Sequence, residues 1–95
     1  MADYKIDTLF EVLEKNFKDD NKEAIVHSCT RILGYSHFLD EKTQSILFIA
    51  KGIALVKLHH YTLAILNVKQ AISVCPESNE LGQRALEFVK QKIME

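Results

Sequence analysis

The sequence predicts an all-α protein of about five helices, arranged as antiparallel helix hairpins in one domain over residues 1–95. Three observations predict it. Apolar residues recur at helical spacing in five successive segments. Turn formers are scarce, with 3 glycines and 1 proline in the whole chain, whereas a β fold needs turn residues every few positions. Hydrophobic residues make up 47% and charged residues 26%, the balance of a chain that buries a core rather than one that stays disordered.

The first helix is predicted over residues 3–18, with Ile6, Leu9, Phe10, Leu13 and Phe17 on its apolar face. Asp19, Asp20 and Asn21 then break the period with residues that favour caps and turns. The second helix is predicted over residues 21–33, with Ile25, Cys29, Ile32 and Leu33 inward and Gly34 as its C-cap. Tyr35 and Phe38, in the connector that follows, are expected to fold back onto the core.

The third helix begins at Asp40, whose carboxylate can accept from the first free amides, and runs to residue 58. It is apolar on two sides. Ile46, Ile49, Ile53 and Val56 fall on one, and Leu47, Phe48, Leu55 and Leu58 on the other. Such a helix is expected to be sandwiched between neighbours. The fourth helix, residues 61–75, has Ala64, Ile65, Val68, Ala71 and Ile72 as its seam and is ended by Pro76. The fifth, residues 78–94, carries one stripe formed by Leu81, Ala85, Leu86, Phe88, Val89 and Ile93. One-sided amphipathicity is expected of a helix that caps a stack.

Composition also excludes function classes. A net charge of −1 argues against a nucleic-acid binder. Two cysteines, Cys29 and Cys75, make neither a disulfide framework nor a zinc quartet and are expected to be buried thiols. Residues 1–7 hold two aspartates and no apolar core, so no secretory leader is expected. No segment approaches the roughly 18 apolar residues of a membrane span. The cytoplasm, or the nucleus, is therefore the expected compartment. The histidines His27, His37, His59 and His60 have no convergent ligand spacing, and no phosphate loop, nucleophile elbow or HExxH motif occurs. No enzyme activity, cofactor or metal is therefore expected. Charge is uneven. Residues 1–23 hold seven carboxylates, whereas residues 42–76 hold Lys42, Lys51, Lys57 and Lys69 and no carboxylate. The acidic first helix is expected to lie near the basic middle helices; a surface facing an acidic partner is the other reading.

Residues 48–76 resemble a tetratricopeptide repeat, a helix–turn–helix unit of 34 residues. Phe48 takes the family's aromatic place and Gly52 its glycine place. Tyr61, Ala64, Val68 and Ala71 follow the second-helix pattern, and Pro76 closes it. Gly52, Ala64 and Ala71 are small where helix backbones would approach, while Phe48 and Tyr61 would fill gaps between hairpins. Lys51 and Leu55 depart from the pattern. His59 stands where the family often has a turn glycine, and histidine tolerates the left-handed region better than most residues. Residues 23–25 echo residues 63–65 at a spacing of 40. The resemblance thus implies a degenerate repeat over about 3–38, a repeat over about 42–76 and a capping helix over about 78–94, stacked as a right-handed superhelix.

It further implies a protein–protein interaction module, an adaptor that holds a partner peptide or amphipathic helix in an apolar groove. The matching groove residues are Ile46, Ile49, Ala50, Ile53, Val56 and Lys57, with Ile6, Leu9, Leu13 and Phe17 as its extension. The polar clamp by which chaperone-binding members hold a terminal carboxylate is not expected, because Leu9, Leu13 and Ala50 stand at the matching places. The alternative function is a structural or self-associating scaffold subunit, since fewer than about three repeats rarely bury a continuous core. The partner would then be a second copy or a larger complex.

Overall fold

A computed structural model of the chain describes residues 2–77 and 79–95. Five α-helices account for nearly all of it: α1 (Ala2–Lys18), α2 (Lys22–Leu33), α3 (Glu41–Lys57), α4 (Tyr61–Val74) and α5 (Glu80–Met94). One turn of 3-10 helix, Ser36–Phe38, lies between α2 and α3. There is no strand among the described residues. Ser78, expected to begin the fifth helix, lies outside the described residues.

The helix starts follow from capping chemistry. Asn21 accepts a hydrogen bond from Ala24 N, Asp40 from Thr43 N at 2.7 Å, and Asn79 from Gly82 N at 2.8 Å. Each satisfies an amide that the helix itself leaves free. The hydrogen bonds from Thr43 hold the Asp40 carboxyl below the usual carboxylate range. Gly34 closes α2 with φ −63°, so it stops the helix without the left-handed conformation of a glycine C-cap.

Each helix packs on its sequence neighbour, and α3 also packs on α5. Two core clusters result. The first joins Leu9, Leu13, Ile25, Cys29 and Ile32 to Leu47 and Ala54 of α3. The second joins Ile49, Leu55 and Val56 of α3 to Ala64, Val68, Ala71, Ala85 and Val89. Both clusters include α3, which is why that helix is apolar on two sides. Leu47 faces the first hairpin rather than α4. The closest approach is at Gly52, where an added Cβ would lie 2.6 Å from Val68 Cγ2 and 3.1 Å from the Ala64 carbonyl oxygen.

The α1–α2 and α3–α4 turns share one backbone design. Asp20 and His59, 39 residues apart, are the non-glycine residues with positive φ among the described residues, at 51° and 66°. Asn21 N donates to Asn16 O at 3.1 Å, and His60 N donates to Leu55 O at 2.9 Å. Asp20 N donates to Phe17 O, and His59 N to Val56 O. At this spacing the buried positions Ile25, Cys29 and Ile32 align with Ala64, Val68 and Ala71. The two turns and these buried positions therefore correspond at a spacing of 39, one less than the Ala24–Ala64 echo. Ala24 is half-buried, whereas Ala64 is fully buried.

Several side chains depart from expectation. Phe17, near the end of α1, and Phe38, in the 3-10 turn that buries none of its residues, are about half exposed. Tyr61 is exposed and meets the His59 ring, with Tyr61 Oη 2.7 Å from His59 Nδ1, rather than filling a gap between hairpins. Leu81 and Ile93 are exposed at the ends of α5. Cys75 is half-buried.

Candidate docking cleft

Five of the six expected groove residues line one open cleft. Ile46, Ile49, Ala50, Ile53 and Lys57 of α3 face Phe17, Asp20, Lys22 and Ile25 across a space of about 280 Å³. α1 packs chiefly on α2, and its Phe17 lines the cleft opposite α3. Val56, the sixth residue, is 2% exposed and belongs to the core. Its position on α3 is turned toward α5, which covers it. Ile6, Leu9 and Leu13, the expected extension, are buried too, and Phe17 is the member of that set that reaches the cleft.

The cleft continues along α3. Ile46 and Ile49 also line a neighbouring hollow of about 290 Å³, with Lys42 at one edge and Cys75, Glu77 and Leu81 opposite. Lys42, Ile46, Ile49, Ala50, Ile53 and Lys57 all fall within a sector of about 100° on the helix wheel. The basic block of residues 42–76 has four lysines. Two of the four in fact bracket the isoleucine stripe, while Lys51 lies on the opposite side.

Exposure distinguishes this surface from a core seam. Phe17 is 49% and Ile46 46% exposed at the cleft, and Leu81 is 52% exposed at the neighbouring hollow, so large apolar side chains stand half in water at both. Its base is finished. Ser45 Oγ donates to Ala71 O at 2.9 Å, and Asn79 Nδ2 donates to Ser45 Oγ and to Ala71 O, each at 3.1 Å, tying the α4–α5 connection to α3 and α4. No buried side-chain polar atom among the described residues lacks a partner.

Ion pairing does not join the acidic and basic segments. Among the described residues the pairs are local: Glu14–Lys18, Asp20–Lys22, Glu80–Arg84 and Lys92–Glu95. The acidic first helix does lie near α3, with Leu9 and Leu13 in one cluster with Leu47 and Ala54, but no ion pair among the described residues joins the two.

The other chemistry is sparse. Among the described residues no group of three or more His, Cys, Asp or Glu side chains could hold a metal ion. No helix among the described residues is long and apolar enough to cross a membrane. Burial pushes the Cys29 thiol up to about 11, against a small opposing effect of Lys51. A thiol so shifted is protonated near neutrality and a poor nucleophile. Arg84 is engaged with Glu80 at 2.9 Å.

Sequence reasoning missed Asp20, Lys22, Ile25 and Ala54 as cleft residues, and Leu81 as part of the neighbouring hollow. The usable signal was the acidic turn at residues 19–21, which ends α1 and places Phe17 beside the start of α2. No family model matches the chain, nor does any curated protein or solved structure.

Proposed function

We propose that the chain is a protein–protein interaction module with the two-hairpins-and-cap organisation of tetratricopeptide repeats. In this reading its cleft holds an amphipathic helix or extended peptide of a partner protein. The observation that carries it is the trough of half-exposed Phe17 and Ile46 over a base of Ile49, Ala50 and Ile53. An apolar trough of this kind suits side chains spaced at i, i+3/i+4 and i+7 on a docked helix. The shared turn at Asp20 and His59 supports the repeat organisation. The module works without catalysis or cofactor, as an adaptor in the reducing cytoplasm or nucleus, with Cys29 and Cys75 as thiols.

A second reading, a self-associating scaffold subunit, is favoured by the outer face of α4. Leu63 and Leu66 there are 52% and 57% exposed, opposite the buried Ala64 and Val68. Sedimentation of the purified chain and two variants tests both readings. The adaptor reading expects a monomer for all three, and loss of partner capture by Ile46→Glu but not by Leu66→Glu. A dimer dissolved by Leu66→Glu would favour the scaffold. Partner capture undiminished by Ile46→Glu would remove the cleft reading.

A further inference from the structure

We propose that α5 is an autoinhibitory strap. Its C-terminal end swings off α3 while α1–α4 stay folded, and the open form binds a partner helix more tightly because Val56 joins the trough. The inference rests on the docking reading above and concerns the regulation of that site. Ile49 and Val56 are seven residues apart on α3, so they lie two turns apart along one edge of the helix. Ile49 lines both the cleft and the neighbouring hollow. Val56 is 2% exposed and lines instead a third hollow, of about 370 Å³, with Lys92 and Glu95 at the end of α5. Lys57 lines that hollow and the cleft alike, so the two adjoin. α5 therefore starts beside the isoleucine stripe at Leu81 and ends over the stripe's continuation at Val56. There it takes the place that a longer partner helix would use.

Three features make α5 the helix that opens. Its fully buried residues are Gly82, Ala85 and Val89, with Leu86 and Phe88 packed on the core only in part. The other terminal helix, α1, buries Ile6, Leu9 and Leu13. Burial stabilises in proportion to apolar area, so α5 is held by less. Next, its ion pairs, Glu80–Arg84 and Lys92–Glu95, are local, and none among the described residues joins it to another helix. Swinging away therefore breaks no ion pair. Finally, its polar anchorage lies at its start. Asn79 Nδ2 donates to Cys75 O at 2.7 Å and to Ala71 O and Ser45 Oγ at 3.1 Å, while Asn79 Oδ1 accepts from Gly82 N. Residues 90–95, at the other end, are all exposed. The helix is fastened where it begins and loose where it covers Val56. Few buried apolar groups and an exposed backbone are what permit an element to open well below the free energy of global unfolding.

The test is amide hydrogen exchange of the full chain, alone and with a helical peptide. The probe is a peptide selected on the full chain from a displayed library of 20-residue helices with a varied ridge of Leu, Ile, Phe and Met. It is retained if Ile46→Glu abolishes its binding. In the free chain, amides of residues 85–89 should exchange about tenfold faster than those of residues 47–56. Saturating peptide should speed exchange at residues 85–89 by a further factor of about three, because a ligand that prefers the open form raises its population. A frayed helix end uncoupled from the trough would not respond in this way. Val89→Ala should raise exchange at residues 85–89 about tenfold and tighten the peptide in step, since apparent affinity follows the fraction of binding-competent chain. Leu86→Ala, at a half-buried position, takes its place if circular dichroism shows Val89→Ala unfolded. Exchange of α5 at the same rate as α3 would overturn the strap. So would exchange of α5 that is slowed or unchanged by a peptide bound at Ile46, and that result would leave the docking cleft standing. Selection of no peptide that depends on Ile46 would overturn both.

Discussion

Gly52 shows how a single side chain, or its absence, sets the spacing of two helices. Helix propensity alone would make Gly52→Ala stabilising by about 1 kcal/mol. The Cβ would instead meet Val68 Cγ2 and the Ala64 backbone oxygen, and a buried β-branched valine has little freedom to yield. We expect Gly52→Ala to destabilise by roughly 1–3 kcal/mol in urea titration, with partial recovery in Gly52→Ala/Val68→Ala. Cys29 offers a second check. Its folded-state value of about 11 lies above the usual 9.0, so the unfolded chain ionises first as pH rises. The stabilising contribution is therefore complete below pH 9 and is lost toward pH 11, on the order of 2 kcal/mol. Comparing the pH dependence of unfolding with that of Cys29→Ala isolates it; equal slopes would remove the assignment. Both residues were legible in the sequence, since each is small at an inward helical position. Gly82 was not. It is buried beside Ile72 and Asn79, and that proximity depends on how the α4–α5 connection closes, which no local pattern encodes.

At the scale of elements, the helix bounds were legible because they rest on short-range chemistry: Asn21 and Asp40 as caps, Asp19 and Asp20 as breakers, and Pro76 as a stop. The spacing of the repeat was less so. An Ala–Ile pair in each hairpin suggested 40, but the two turns and the buried faces agree at 39. Burial depends on which helix lies opposite, and identity of side chains does not report that. The turns give a paired prediction. A left-handed residue costs a Cβ-bearing side chain about 1 kcal/mol or more, and glycine almost nothing. His59→Gly should therefore be more stable than His59→Ala by roughly 1 kcal/mol, and Asp20→Gly more stable than Asp20→Ala by a similar amount. Thermal unfolding of the four variants checks both. The reverse order at one site alone would show that the two turns are not equivalent.

For the whole molecule, the site was partly legible because α3 has more apolar surface than one neighbour can cover. What the wheel could not decide was which edge α5 would take. Val56 went to the core, and Ile46 stayed in the trough. That division predicts a contrast within one stripe. Ile53 is half-buried and packed against the second cluster, so Ile53→Glu should cost more than about 2 kcal/mol by placing an unpaired charge there. Ile46→Glu should cost less than about 0.5 kcal/mol. Equal losses in urea titration would mean the trough is filled from within the chain. The division of the core also bears on how the chain is made. Every residue of the first cluster, from Leu9 to Ala54, precedes the second hairpin's turn. A chain emerging from the ribosome has every residue of that cluster in hand while α4 and α5 are still being synthesised. Until α4 and α5 arrive, Ile49, Leu55 and Val56 lack the rest of their cluster. The interval between release of α3 and release of α4 is thus when the nascent chain is most exposed to aggregation and most open to chaperones.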